Sequence, residues 1–125
     1  MLFDTDVIIW ALRGNLKASG RIDGAASLYL SAISYMELLK GARDMREQKA
    51  IQAFLRDLGF EQLPVTSAIC HRAVIYVEEF ALSSGLELAD ALIAATACEH
   101  GIALCTANDK HYRVVADLNL QIFRR

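Results

Sequence analysis

Apolar and polar positions follow two rhythms along this 125-residue chain. Short apolar runs of strand length recur, and most lead into a stretch whose apolar residues return at helical spacing. The opening "MLF" reads as a strand, and the amphipathic stretch through Arg13 as a helix that stops at Gly14. A second run, "LYLSAIS" from Leu28, enters a long helical pattern with Tyr35, Leu38, Leu39 and Ala42 on one face. Its continuation sets Ile51, Phe54, Leu55 and Leu58 on a face, which predicts one helix closing at Gly59. "FEQLPV" predicts a short strand, Thr66 an N-cap, and the residues to Ser84 a largely apolar helix ended by Gly85. A further helix is predicted from about Glu87 to His100, closed by Gly101. "IALCTA" then reads as a strand, "KHYRVVA" as a short helical or irregular piece, and "LQIFR" as a last strand.

Strands separated by helical segments require parallel pairing and right-handed crossovers, which predicts an α/β domain with a central parallel sheet between helices in three layers. Ligands of such sheets sit beyond the carboxyl ends of the strands. The length suits one domain over 1–125, with roughly two-thirds of the unfolded surface buried. A hydrophobic content of 54% and a charged content of 22% argue against disorder. Charges interrupt the apolar runs before membrane-spanning length, and no basic segment follows Met1, so neither a membrane span nor a signal peptide is expected and a cytoplasmic location is. Cys70, Cys98 and Cys105 lack CxxC spacing and lie in apolar segments, as expected of small buried thiols. A net charge of −2 gives no bulk grip on nucleic acid. Such a partner requires a local basic patch or a metal bridge.

The acidic residues change this picture. In "LADALIAATA" Asp90 is the only charged side chain of an otherwise apolar run. A buried, unpaired carboxylate costs several kcal/mol or more by order of magnitude, so a helix N-terminus, a cationic partner or a metal ion must compensate for it. Asp4 ends the first strand, Glu37 falls in the first turn after the second, and Asp109 follows "IALCTA", all toward the carboxyl edge. Hard divalent cations make such like charges tolerable, and a metal is the leading answer.

Local readings compete. Asp4 can cap the first helix with Thr5 or Asp6, and "SYME" matches a capping box with Ser34 as N-cap and Glu37 reaching back to it. Gly41 lies one turn beyond Glu37, where a helix-interior glycine costs about 1 kcal/mol relative to alanine and calls for some close approach. His71, His100 and His111 have no paired ligand spacing and are expected on the surface or at helix ends. Neither a Gly-rich phosphate loop nor a G-x-S-x-G elbow occurs.

"LFDTDVIIW", "SAISYMELLKGA", "LADALIAATA" and "ALCTANDKHY", in this order over the whole chain, resemble the PIN domain family and within it the VapC-type toxins of bacterial toxin–antitoxin pairs. The resemblance implies a Mg2+- or Mn2+-dependent endoribonuclease acting on RNA, often homodimeric, and inhibited by a cognate antitoxin protein that enters the active site. By its motifs Asp4 matches the acid of D-T, with Thr5 beside it, Glu37 the glutamate of S-x-x-E-L-x-x-G, and Asp90 the aspartate of D-A-x-I-A-A. Thr106 opens T-x-[ND]-x-x-[HDF], in which Asn108 holds the third position and Asp109 follows it, so either is available as the fourth ligand. Asp6 stands where many relatives carry asparagine and is expected, with Thr5, Thr106 and Asn108, to support the acids. The resemblance thus implies a metal held by Asp4, Asp90 and Asp109 with Glu37 taking part in catalysis. Arg13, Lys40, Arg43 and Lys110 are available to steady flanking phosphates or to form an ordinary solvated face. A receiver-like phospho-signalling domain fits less well, because "FEQLPV" ends without an aspartate. A catalytically silent PIN fold that serves as a binding module would be expected to have lost the acids that are retained here.

Overall fold

The structure is a computed structural model describing residues 1–125. Five strands pair in parallel throughout: β1 (Leu2–Phe3), β2 (Tyr29–Ser31), β3 (Glu61–Leu63), β4 (Leu104–Thr106) and β5 (Leu120–Ile122), in the order β3-β2-β1-β4-β5. β1 is central, with Leu2 opposite Tyr29 on one side and Leu104 on the other. Strand alternation divides the core. Leu2, Leu63 and Leu104 face one apolar cluster with Ile69, Ala73, Tyr76 and Ile93, whereas Phe3, Leu30 and Cys105 face another with Val7, Ile8, Leu38, Ile51 and Leu55. Two cores on opposite faces of one parallel sheet give the expected three layers.

The helices are α1 (Thr5–Leu12), α2 (Leu16–Asp23), α3 (Ala32–Lys40), α4 (Met45–Leu58), α5 (Ser67–Ser84), α6 (Leu88–His100) and the single turn α7 (Asp109–Tyr112). Thr66 caps α5 as predicted, accepting from the Ile69 N–H, and α4, α5 and α6 end at glycines of positive φ. α6 is apolar nearly all round because it is packed on all sides, with Ala91, Ala94, Ala95 and Ala97 fully buried.

Three elements differ from what the sequence predicts. α2 has no counterpart in the apolar pattern: it buries only Ala18 and Ile22, contains Gly20, and is announced by Asn15, whose side chain accepts from the Ala18 N–H at 2.9 Å. The single long helix before Gly59 is two helices. α3 ends at Gly41, and α4 restarts at Asp44, whose carboxylate accepts from the Glu47 N–H at 2.8 Å. Gly41 is therefore a helix end rather than an interior glycine, and a side chain there would meet backbone only at ordinary van der Waals distance. Finally, α3 starts earlier than the capping-box reading places it. Ser31 is the N-cap and accepts from the Ser34 N–H at 3.0 Å, so Ser34 lies inside the helix with its hydroxyl buried and unpartnered. Cys105 is buried as expected, but Cys98 is only half-buried and Cys70 is exposed on the outer side of α5. No helix is long and apolar enough to cross a membrane.

Candidate active site

The carboxyl ends of β1 and β4, adjacent in the sheet, bring two motifs together. Asp4 leaves β1 as the N-cap of α1, one carboxylate oxygen accepting from the Thr5 N–H at 2.8 Å and the other from the Thr106 hydroxyl at 2.7 Å. The capping reading and the site reading therefore describe one side chain. Thr106 also accepts from the Asn108 N–H at 3.0 Å, so its hydroxyl is oriented before it donates to Asp4. Asp6, in the first turn of α1, accepts from the Ala107 N–H at 3.0 Å through Oδ2, while its Oδ1 is buried without a partner. The Thr5 hydroxyl donates to Glu37 Oε1 at 2.7 Å and ties α3 to the rim. Glu37 does not form the capping box, because the helix begins three residues earlier at Ser31 and the N–H groups it would have reached are already inside the helix.

Asp90 is the third residue of α6, and His111 of α7 stands against it with Nδ1 2.8 Å from Oδ2. An ionised carboxylate can only accept, so this Nδ1 carries the proton. The Asn108 side-chain amide nitrogen Nδ2 lies 3.2 Å from the same ring nitrogen. The isolated charge of "LADALIAATA" is thus met by a histidine and a helix N-terminus. His111 stands in the last turn of α7, a helix-end position as expected, and from there reaches Asp90. Its signal lies in the last position of T-x-[ND]-x-x-[HDF] and not in any histidine spacing. Asp109 faces elsewhere: its carboxylate pairs with Arg113 and lies 3.4 Å from Arg124, and these guanidiniums hold its carboxyl below the usual range. Of the basic candidates, Arg43 pairs with Glu47, Arg13 lies against Trp10, and Lys40 and Lys110 are exposed.

Burial, followed by the charge of Asp6, pushes Asp4 up to about 7. Burial also raises Asp6, with the charge of Asp90 adding to it. Beneath them the fully buried Tyr112 has its hydroxyl unpartnered, and burial together with the charges of Asp4 and Asp90 pushes this phenol up. The rim is therefore a field of negative charge over a low-dielectric floor. As the side chains stand, no three of the Asp, Glu, His and Cys groups are close enough to hold one ion among them. Thr5 and Thr106 engage both oxygens of Asp4, and Ala107, Thr5 and His111 engage one oxygen each of Asp6, Glu37 and Asp90. The donor chemistry nonetheless fits a hard divalent cation: every acid is an oxygen donor, Asp4 and Asp6 repel one another, and Asp6 Oδ1 is a buried acceptor that nothing satisfies.

Residues 1–118 match the PIN domain family. Over 124 residues the chain is 34% identical to Ribonuclease VapC10 of Mycobacterium tuberculosis, covering 94% of this chain and 90% of that protein. A toxin–antitoxin complex from Klebsiella pneumoniae contains a chain that is 27% identical with a TM-score of 0.79, over 94% of this chain and 93% of that one. VapBC2 from Rickettsia felis, bound to a DNA fragment from its promoter, shares the fold at a TM-score of 0.84 with 19% identity, over 98% of each chain. The chain belongs to the PIN domain family.

Proposed function

We propose that this protein is the toxin of a VapBC-type toxin–antitoxin pair, an endoribonuclease that hydrolyses RNA phosphodiester bonds with the help of Mg2+ or Mn2+. The observation that carries the reading is Asp4, a buried carboxylate whose two oxygens are aimed by Thr5 and Thr106 while Asp6 crowds it electrostatically. The likeness to Ribonuclease VapC10 and to toxin–antitoxin complexes supports the substrate class and the partner.

Asp4 and Asp90 would hold the cation, with Asp6 and Glu37 at its margin. A bound divalent cation supplies positive charge for the scissile phosphate and lowers the pKa of the attacking water. The chain's own residues do the positioning. Thr106 fixes the Asp4 carboxylate across two strands, Thr5 fixes Glu37, and His111 fixes Asp90. Glu37 is the exposed acid of the set and the one available to take the proton of the attacking water. Asn108 rather than Asp109 is assigned to the fourth position, which is supported by its closeness to His111 and by the engagement of Asp109 with Arg113 and Arg124.

A groove of about 680 Å³ opens beside Glu37, walled by Ile9, Leu12, Leu38 and Ile51 with Arg13 and Arg43 at its margin. It supports the antitoxin reading, since an amphipathic segment seated there could carry a basic side chain to the acidic rim. A homodimer is supported by Ile75 and Leu82, which are exposed and seven residues apart on α5. The proposed substrate puts the work of the protein in the cytoplasm. The test is incubation of purified protein with total RNA. Cleavage with Mg2+ or Mn2+ that EDTA abolishes is the expected result. RNA left intact by folded protein with either metal would leave only a binding module.

A further inference from the structure

Trp10 is the chain's only tryptophan, and two arginines from opposite ends of the sequence lie against it. The guanidinium of Arg13, at the end of α1, is 5.7 Å from the ring centroid, and that of Arg125 is 4.6 Å from it. Next to Arg125, Arg124 reaches the Ala107 carbonyl oxygen at 3.4 Å and the Asp109 carboxylate at 3.4 Å, and Arg113 meets the same carboxylate from α7. A strip of four guanidiniums thus runs from α1 past the end of β5 to α7. It touches the acidic rim at Ala107, whose N–H holds Asp6. One aspartate answers Arg113 and Arg124 together, and no acidic side chain pairs with Arg13 or Arg125.

Resting on the proposed ribonuclease reading, the geometry points to this strip as the subsite for single-stranded RNA flanking the scissile phosphate, with Trp10 as its scaffold. Guanidiniums laid against an indole are partly ordered in advance, so less freedom is lost when they fork onto phosphate oxygens. Planar cations and an aromatic ring along one backbone-tracking strip are what a single strand requires, because bases stack on the planes while phosphates meet the charge. The strip also resolves an electrostatic conflict: the acidic rim repels RNA, and the arginines attract the strand on either side of it. An acidic peptide would be drawn by the same charges but brings no bases to stack on these surfaces.

The sole tryptophan makes the test local. A fluorescently labelled oligouridylate is titrated in EDTA, with Trp10 emission and label anisotropy followed over a range of salt. The expected result is a change in Trp10 emission on binding, and in Arg13→Gln/Arg125→Gln a roughly tenfold weaker affinity, with the log–log salt slope shallower by about 0.7 for each phosphate that the variant no longer neutralises. A thermal melt establishes that the double variant is folded. Should it not be, Arg125→Gln alone carries the same test, with a weaker affinity and a shallower salt slope as the expected result and both unchanged as the result that overturns it. An unchanged slope and affinity, or Trp10 emission that answers polyglutamate but not RNA, overturns the subsite. Metal-stimulated cleavage with an unchanged slope sinks the subsite and leaves the ribonuclease. RNA binding at Trp10 without cleavage in any metal keeps the subsite and sinks the ribonuclease.

Discussion

Asp4 performs two tasks with one carboxylate, starting α1 and standing at the centre of the acidic rim, and the conflict between them shows in its titration. Burial and then the charge of Asp6 push its carboxyl up to about 7 from 3.8 for an ordinary aspartate. Between those values the folded chain keeps a proton that the unfolded chain has released, so stability falls as pH rises through this window. The metal-free protein is therefore expected to melt at a lower temperature at pH 8 than at pH 5, with added Mg2+ narrowing the gap. Melting curves in EDTA and in Mg2+ check this, and a metal-free melting temperature that rises with pH would contradict it. Asp4→Asn removes the repulsion with Asp6 and should stabilise the apo protein at pH 8 while abolishing cleavage at any Mg2+ concentration. At Asp90 the sequence poses the right question, an uncompensated charge, and hides the partner. His111 lies 21 residues away and meets Asp90 only because α7 folds back over the start of α6. Asp90→Asn is expected to leave the fold intact and to remove metal-dependent RNA cleavage, as read on a defined RNA with circular dichroism as control.

At the scale of elements, strands are legible wherever an apolar run meets a turn residue, and helix ends wherever a glycine with left-handed backbone follows. The Gly41 break is not legible, because the apolar stripe carries across it, and only Asp44 marks the restart. Asp44→Ala should cost about 1 kcal/mol by uncapping α4, which a denaturant midpoint would show. The same weakness conceals the true start of α3. The sequence pattern points to Ser34 as the cap where the fold uses Ser31, and that difference decides whether Glu37 points to its own backbone or to Thr5. In α7 the distinction between Asn108 and Asp109 depends on one helical turn that places Arg113 four residues after Asp109. Asp109→Asn should consequently leave the Mg2+ concentration for half-maximal cleavage unchanged. An increased requirement would return Asp109 to the metal.

For the whole molecule, the order β3-β2-β1-β4-β5 sets β1 beside β4 and so brings Asp4 and Asp6 against Thr106 and Ala107 from the other end of the sequence. Asp4 and Thr106 leave neighbouring central strands, and Glu37 and Asp90 arrive on the helices α3 and α6. The three-layer architecture is readable from the alternation of strands and helices. The arginine strip is not, because it joins α1 to residues at the far end of the sequence. On the proposed reading this acidic rim cleaves RNA with a divalent cation. The most direct test of that reading is the cleavage of a defined single-stranded RNA by wild-type protein and by Asp4→Asn, each in Mg2+ and in EDTA. Cleavage confined to wild-type protein in Mg2+ is the result expected; cleavage by Asp4→Asn at the wild-type rate, or by wild-type protein in EDTA, would contradict it.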